Sequence, residues 1–253
     1  MHSFRYQQGQ LFCENVSLQS LAEKHGTPLY VYSKATISDH FTRLDASFGK
    51  LDHLVCYAVK ANSNLSVLST IAKLGGGFDI VSAGELLRVI KAGGDPAKCT
   101  FAGVGKTRDE IEYALQQGIY CFNAESEAEL RFINEVAGQL GKKAPVAVRV
   151  NPNIDAKTHA KITTGKKENK FGIGFDNIGE VYARIAAECP HLEIKGLHMH
   201  LGSPLTSVTP FVTAVKKAAP LVKEMKEKHH IEFFSIGGGI GINYRQSLDS
   251  GDP

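Results

Sequence analysis

The chain has 253 residues, 43% of them apolar and 22% charged, which is enough to bury a substantial core and too apolar for a disordered segment. Its 29 basic and 26 acidic residues leave a formal charge of +3, and the basic pairs Lys142-Lys143, Lys166-Lys167 and Lys216-Lys217 are separated by ordinary sequence. They predict solvated faces and no nucleic-acid partner. Cys13, Cys56, Cys99, Cys121 and Cys189 are widely spaced with no C-x-x-C pair, so neither a disulfide framework nor a zinc knuckle is expected. No apolar run approaches the ~20 residues of a membrane helix, and the start lacks the apolar core of a secretion signal. The expectation is a cytoplasmic protein without a membrane partner.

In chain order, Leu11-Phe12, a helix-like Leu18–Lys24 and a strand-like Pro28–Tyr32 come first. Their rhythm differs from that of the remaining chain. From about residue 53, strands are predicted at Leu54–Val59, Gly77–Val81, Cys99–Val104, Tyr120–Asn123, Val146–Val150, Ile194–His200 and Phe233–Ile236. Helical periodicity covers Leu65–Leu74, Gly84–Ala92, Arg108–Gln117, Glu127–Ala137, Ile178–Glu188 and Phe211–His229. Such alternation predicts an α/β fold with a parallel sheet and crossover helices.

Each strand runs into polar or glycine residues, as in Lys60-Ala61-Asn62, Ser82-Ala83-Gly84, Gly105-Lys106, Asn151-Pro152 and Gly237-Gly238-Gly239. A (β/α)8 TIM-type barrel gathers its active site from such strand ends. An open doubly wound sheet also uses its strand ends, but the number of units favours the barrel. Only a dozen residues follow Gly241, too few for another helix and strand. The barrel is therefore expected to be incomplete, truncated before its eighth strand. The irregular stretch from Asn151 to Lys170 reads either as a functional lid or as a plain surface insertion.

Three features could carry chemistry. Lys60 ends an apolar strand, and is either an exposed strand terminus or a catalytic amine whose pKa burial would lower. Taken alone, the exposed terminus is the simpler reading. His198 and His200, two apart on one strand, point the same way. They could begin a metal site, although no later His/Asp pair completes a ligand set, and His198 could equally be a hydrogen-bonded core histidine. Gly237, Gly238 and Gly239 follow the last strand, where backbone amides can approach an anion, or where the chain simply turns. An amine, an imidazole with a nearby serine and a glycine loop together suit a phosphorylated aldehyde cofactor.

The ordered motifs Tyr57-Ala58-Val59-Lys60-Ala61-Asn62, Gly77-Phe78-Asp79-Ile80-Val81-Ser82-Ala83-Gly84-Glu85, Glu168-Asn169-Lys170-Phe171-Gly172-Ile173, His198-Met199-His200-Leu201-Gly202-Ser203 and Gly237-Gly238-Gly239 resemble the fold-type III, alanine-racemase-like pyridoxal-phosphate decarboxylases. The match runs collinearly from about Leu11 to Tyr244, and the Thr158–Gly165 segment is more similar to the branch acting on meso-diaminopimelate than to the ornithine or arginine branches.

The resemblance implies pyridoxal 5'-phosphate as cofactor, an amino acid as substrate, and a lyase reaction giving lysine and CO2. It implies Lys60 as the Schiff-base lysine, His200 stacked on the ring, and Ser203 with Gly237, Gly238 and Gly239 on the phosphate. Asp79, Glu85 and Arg149 would support lysine and ring from below, and the Thr158–Lys170 loop would close over the substrate. Residues 1–33 would belong to a second, β-rich domain and 34–253 to the barrel, with a homodimer as the intact enzyme.

The family's Glu-Pro-Gly-Arg motif and its C-terminal cysteine motif do not occur in this chain. A polypeptide of this extent is therefore expected to be inactive or nearly so alone. Competing readings are a cofactor-binding barrel without decarboxylation, an ornithine- or arginine-type decarboxylase, an alanine racemase and, last, a metal-dependent hydrolase.

Overall fold

The computed structural model of the chain describes residues 3–152 and 171–241. The expected lid at Thr158–Lys170 lies outside the described residues, as does the Tyr244 end of the motif match. Strands β1 (Phe4–Gln7), β2 (Gln10–Cys13) and β3 (Val16–Ser17) form a small antiparallel sheet, followed by α1 (Leu18–His25). Next comes α2 (Lys34–Ser47), started by Ser33, whose hydroxyl accepts the Thr36 amide at 3.0 Å. The Ser33 hydroxyl also donates to Glu14 at 2.9 Å, which ties the small sheet to this helix.

The main sheet is built from β4 (Cys56–Ala58), α3 (Leu65–Lys73), β5 (Gly77–Ile80), α4 (Ala83–Lys91), β6 (Cys99–Phe101), α5 (Arg108–Gln117), β7 (Cys121–Ala124), α6 (Glu127–Gln139), β8 (Ala144–Asn151), β9 (Ile173–Gly174), α7 (Ile178–Glu188), β10 (Leu192–Met199), α8 (Thr209–His229) and β11 (Phe233–Ser235). The strand order is β4-β5-β6-β7-β8-β10-β11, all neighbours are parallel, and β9 adds to the end of β8. This is an incomplete (β/α) barrel, in agreement with the expectation from strand and helix alternation. No helix among the described residues is long and apolar enough to cross a membrane.

Local sequence explains where the helices begin. Ser82, Thr107 and Ser126 each follow a strand and cap the next helix, accepting the amides of Glu85, Glu110 and Glu129 at 3.2, 3.4 and 3.2 Å. A glutamate three residues after a Ser/Thr cap also returns its carboxylate to backbone amides near the cap. Glu85 thus takes the Val81 amide at 2.7 Å, and Glu129 the Glu125 amide at 2.7 Å.

Two expectations need correction. Pro28–Tyr32 is not a strand, and Tyr30 stands 84% exposed, because an aromatic run makes a strand only where a partner strand pairs with it. The helix Lys34–Ser47 went unpredicted because it buries only Phe41 and so carries a weak amphipathic signal.

The core lies between the sheet and its helices. Phe78, Ile80, Phe101, Phe122, Val146 and Val148 are fully buried there, together with helix residues such as Leu86, Ile133 and Tyr182. Because strand side chains alternate, the residues between them face the concave side. These are Asp79, Thr100, Asn123, Arg149 and His198, the polar set on which a site can be built.

Candidate active site

Lys60 sits in a single 3-10 turn, Val59–Ala61, directly after β4. Its side chain is exposed, not buried, so neighbours rather than desolvation define its surroundings. Lys60 lies two residues past Ala58, which pairs with Asp79 across β4–β5, and His200 follows the last residue of β10, so these three expected residues share one end of the parallel sheet.

Asp79 lies beside Thr100 across the β5–β6 pairing, and the Thr100 hydroxyl donates to its carboxylate at 3.1 Å. Burial pushes the Asp79 carboxyl up to about 6, against the opposing pull of the Thr100 bond, Lys60 and Lys106, while Glu85 adds to the rise. Glu85 reaches Asp79 through charge; its direct hydrogen bond is to the Val81 amide, an end-of-strand role.

Arg149 points its guanidinium into a buried ion pair with Glu125, Nη1 to Oε1 at 2.7 Å. Glu125 is 7% exposed, and its Oε2 has no hydrogen-bond partner among the described residues. Glu125 in turn is held by Glu129, whose other carboxylate oxygen takes the Lys106 amine at 2.6 Å. Lys106 also donates to the Gly103 and Asn123 carbonyls at 2.8 and 3.0 Å, so its three protons are all placed. Lys106, Asn123, Glu125 and Glu129 were missed as site residues from sequence. For Glu129 the Ser126-x-x-Glu129 spacing was an available signal; for Lys106 its place at a strand end was legible but not its partners, which come from its own loop, from β7 and from α6.

His200 comes directly after β10, and the Gly238 amide donates to its Nδ1 at 3.3 Å. Burial, with Arg149 and Lys60 nearby, pushes the imidazole down to about 4, so it is neutral at neutral pH. His198 is buried and held well below the usual histidine range by burial, Arg149, His200 and Lys106. Its Nδ1 lies 2.9 Å from the Ser235 hydroxyl. That contact is the one a hydrogen-bonded core histidine makes; among the described residues no group of three or more His, Cys, Asp or Glu could hold a metal ion.

The glycine turn is pressed against the end of β10. Gly237 and Gly239 have φ of +72° and +96°, and a Cβ at either would collide with the carbonyls of Met199 and Gly202. Only glycine satisfies both demands at these positions. At Gly238 the same direction is open, with nothing within 4 Å. Ser203 lies beside Gly239, its Cβ 3.3 Å from where a Gly239 Cβ would stand. The Leu205 amide, bonded to the Gly239 carbonyl at 2.7 Å, joins the two loops.

The model of the pyridoxal binding domain of pyridoxal-dependent decarboxylases matches residues 34–251. A diaminopimelate decarboxylase of Vibrio cholerae is 54% identical over 250 residues, taking in 98% of this chain and 60% of that protein. One of Pseudomonas aeruginosa is 52% identical over 246 residues, with 97% and 59% covered. Among solved structures, diaminopimelate decarboxylase from Helicobacter pylori complexed with L-lysine is similar with a TM-score of 0.85 and 44% identity, over 89% of this chain and 57% of that one. The chain spans about 60% of the length of these curated relatives.

Proposed function

The chain belongs to the pyridoxal-dependent decarboxylases, and from that membership we propose that the whole protein decarboxylates meso-diaminopimelate to lysine and CO2, with pyridoxal 5'-phosphate as cofactor. The observation that carries this reading is the meeting of Lys60, Asp79, His200 and the Gly237–Gly239 turn at one end of a parallel sheet. Support for the substrate comes from relatives of that name at 54% and 52% identity.

The residues present fit the cofactor. They comprise an exposed amine, a neutral imidazole, a half-buried carboxyl, and a glycine turn in which backbone leaves no room for a Cβ at Gly237 and Gly239. When bound, the ring would supply an electron sink for the pair left by the departing carboxylate. Lys60, an exposed amine, would hold the cofactor and could carry a proton at its Nζ. Asp79, ionised above about pH 6, balances the Lys60 charge, while Glu85 raises the Asp79 pKa from its place at the head of α4. His200, being neutral, offers the ring a face without adding charge. Arg149, held by Glu125, supplies a fixed cation, and Ser203, Gly237, Gly238 and Gly239 form the phosphate site.

Residues 1–33 are assigned to a second, β-rich domain. In support, β1–β3 share no strand pairing with the barrel sheet. A cytoplasmic homodimer is assigned from the family resemblance.

The test combines two measurements on the purified whole protein, since the 253-residue chain alone is expected to be inactive or nearly so. Pyridoxal phosphate fixed by borohydride is expected on Lys60 and absent in Lys60→Ala. CO2 is expected from meso-diaminopimelate and not from ornithine or arginine. No fixation at Lys60 overturns the cofactor reading, and release from ornithine or arginine instead overturns the substrate.

A further inference from the structure

We propose that Ser235 is a positioning residue for the phosphate site, whose hydroxyl fixes the entry of the Gly237–Gly239 turn by joining the Gly237 amide to the buried His198 ring. The inference rests on the cofactor reading and concerns a residue just ahead of the glycine motif, to which the sequence assigned no role.

Ser235 ends β11 directly opposite His198 on β10. Its oxygen accepts the Gly237 amide at 3.3 Å and lies 2.9 Å from His198 Nδ1. A hydroxyl has one proton to give. With Gly237 donating to one lone pair, either the hydroxyl proton or the second lone pair meets His198 Nδ1, according to the ring tautomer, and in both cases one oxygen joins the turn to the buried ring.

The consequence lies in the turn. Gly237 backs onto the Met199 carbonyl with no room for a Cβ, its amide donates to Ser235, and the Gly239 carbonyl accepts the Leu205 amide. Between them, a Cβ at Gly238 would meet nothing within 4 Å. The Gly237 amide is thus engaged within the protein, and its share in the phosphate site is conformational. The Gly238 amide is likewise engaged, donating to His200 Nδ1 at 3.3 Å, and a turn held in place before an anion arrives loses less freedom on binding.

Removing the hydroxyl leaves the buried His198 Nδ1 without this partner and the Gly237 amide without its acceptor, and both changes act on the turn rather than on Lys60. The test therefore compares pyridoxal 5'-phosphate with pyridoxal, which has the aldehyde and ring but no phosphate, by absorbance titration of the purified protein. Ser235→Ala is expected to weaken pyridoxal 5'-phosphate binding about tenfold while leaving pyridoxal within about twofold of wild type.

Ser235→Thr keeps the hydroxyl and should restore the affinity. Ser235→Cys keeps the volume but is a poorer donor and acceptor, and should repeat the alanine result if Ser235→Ala does not fold. Equal losses for both ligands, or no loss for either, overturn the proposal. A wild-type protein that binds pyridoxal phosphate while Ser235→Ala binds it equally well sinks this inference alone; a wild type that does not bind it sinks the cofactor reading.

Discussion

Along β5 to β8 the same strands present two chemically opposite faces. Phe78, Ile80, Phe101, Phe122, Val146 and Val148 turn toward the helices and are fully buried. Asp79, Thr100, Asn123 and Arg149, their chain neighbours, turn to the concave side and are joined by specific hydrogen bonds and ion pairs. On the first face each residue contributes through the area it removes from water, whichever neighbour covers it. On the second, burial is unfavourable until a partner is supplied. The two faces should therefore respond to mutation by different rules.

The largest effect is expected on the helix-facing side. Phe122→Ala, at a fully buried ring stacked on Phe101, should lower unfolding free energy by about 3–5 kcal/mol in a urea titration. The loss should be independent of pH, since the ring packs against apolar neighbours. A pH-dependent loss would break the distinction between the faces.

Next comes the polar face. Lys106→Met leaves Glu129 and two carbonyls without a donor at a side chain that is 1% exposed, and should destabilise by about 3 kcal/mol. Adding Glu129→Gln should recover part of that loss, because the uncompensated charge is gone. Two losses that simply add would show that partnership does not govern this face.

Smaller effects are expected from titration. Asp79 is raised from near 4 to about 6, so the folded state binds the extra proton, and its contribution to stability falls as pH rises through that window. His200 is lowered from 6.5 to about 4, so the unfolded state binds the extra proton, and its contribution rises over nearly the same window. The two slopes oppose each other. Asp79→Asn should steepen the rise of stability between pH 4 and 6.5 by up to about 1.4 kcal/mol per pH unit, and His200→Asn should flatten or reverse it. Measuring unfolding at several pH values in both variants checks the sign of each.

The smallest effect on stability is expected at the residue with the largest expected effect on activity. Lys60 is exposed, and Lys60→Ala should change unfolding free energy by less than about 0.5 kcal/mol. A large loss would mean that Lys60 is part of the packed structure rather than a group presented to a ligand.

The barrel strands and most helices were legible in the amino-acid order because their signals are local. Period-two alternation in Gly77–Ile80 and the apolar spacing of Ile178–Glu188 need no knowledge of the rest of the chain. Lys34–Ser47 escaped because its one buried residue gives little periodicity, and Pro28–Tyr32 misled because aromatic enrichment suggests a strand whether or not another strand is there to pair with it.

The motifs around Lys60, His200 and Gly237–Gly239 were likewise visible as residue types at a spacing. Their contacts were not. The Ser235 partner of His198 is 37 residues away, and Lys106 meets Glu129 across 23. Such contacts depend on the register between strands and on the crossover connections. Only the tertiary structure decided that Lys60 is exposed, that Asp79 is raised and His200 lowered, and that the Gly237 amide is already engaged. Each of these depends on which groups the folded chain brings within a few ångströms and how much water it removes from around them.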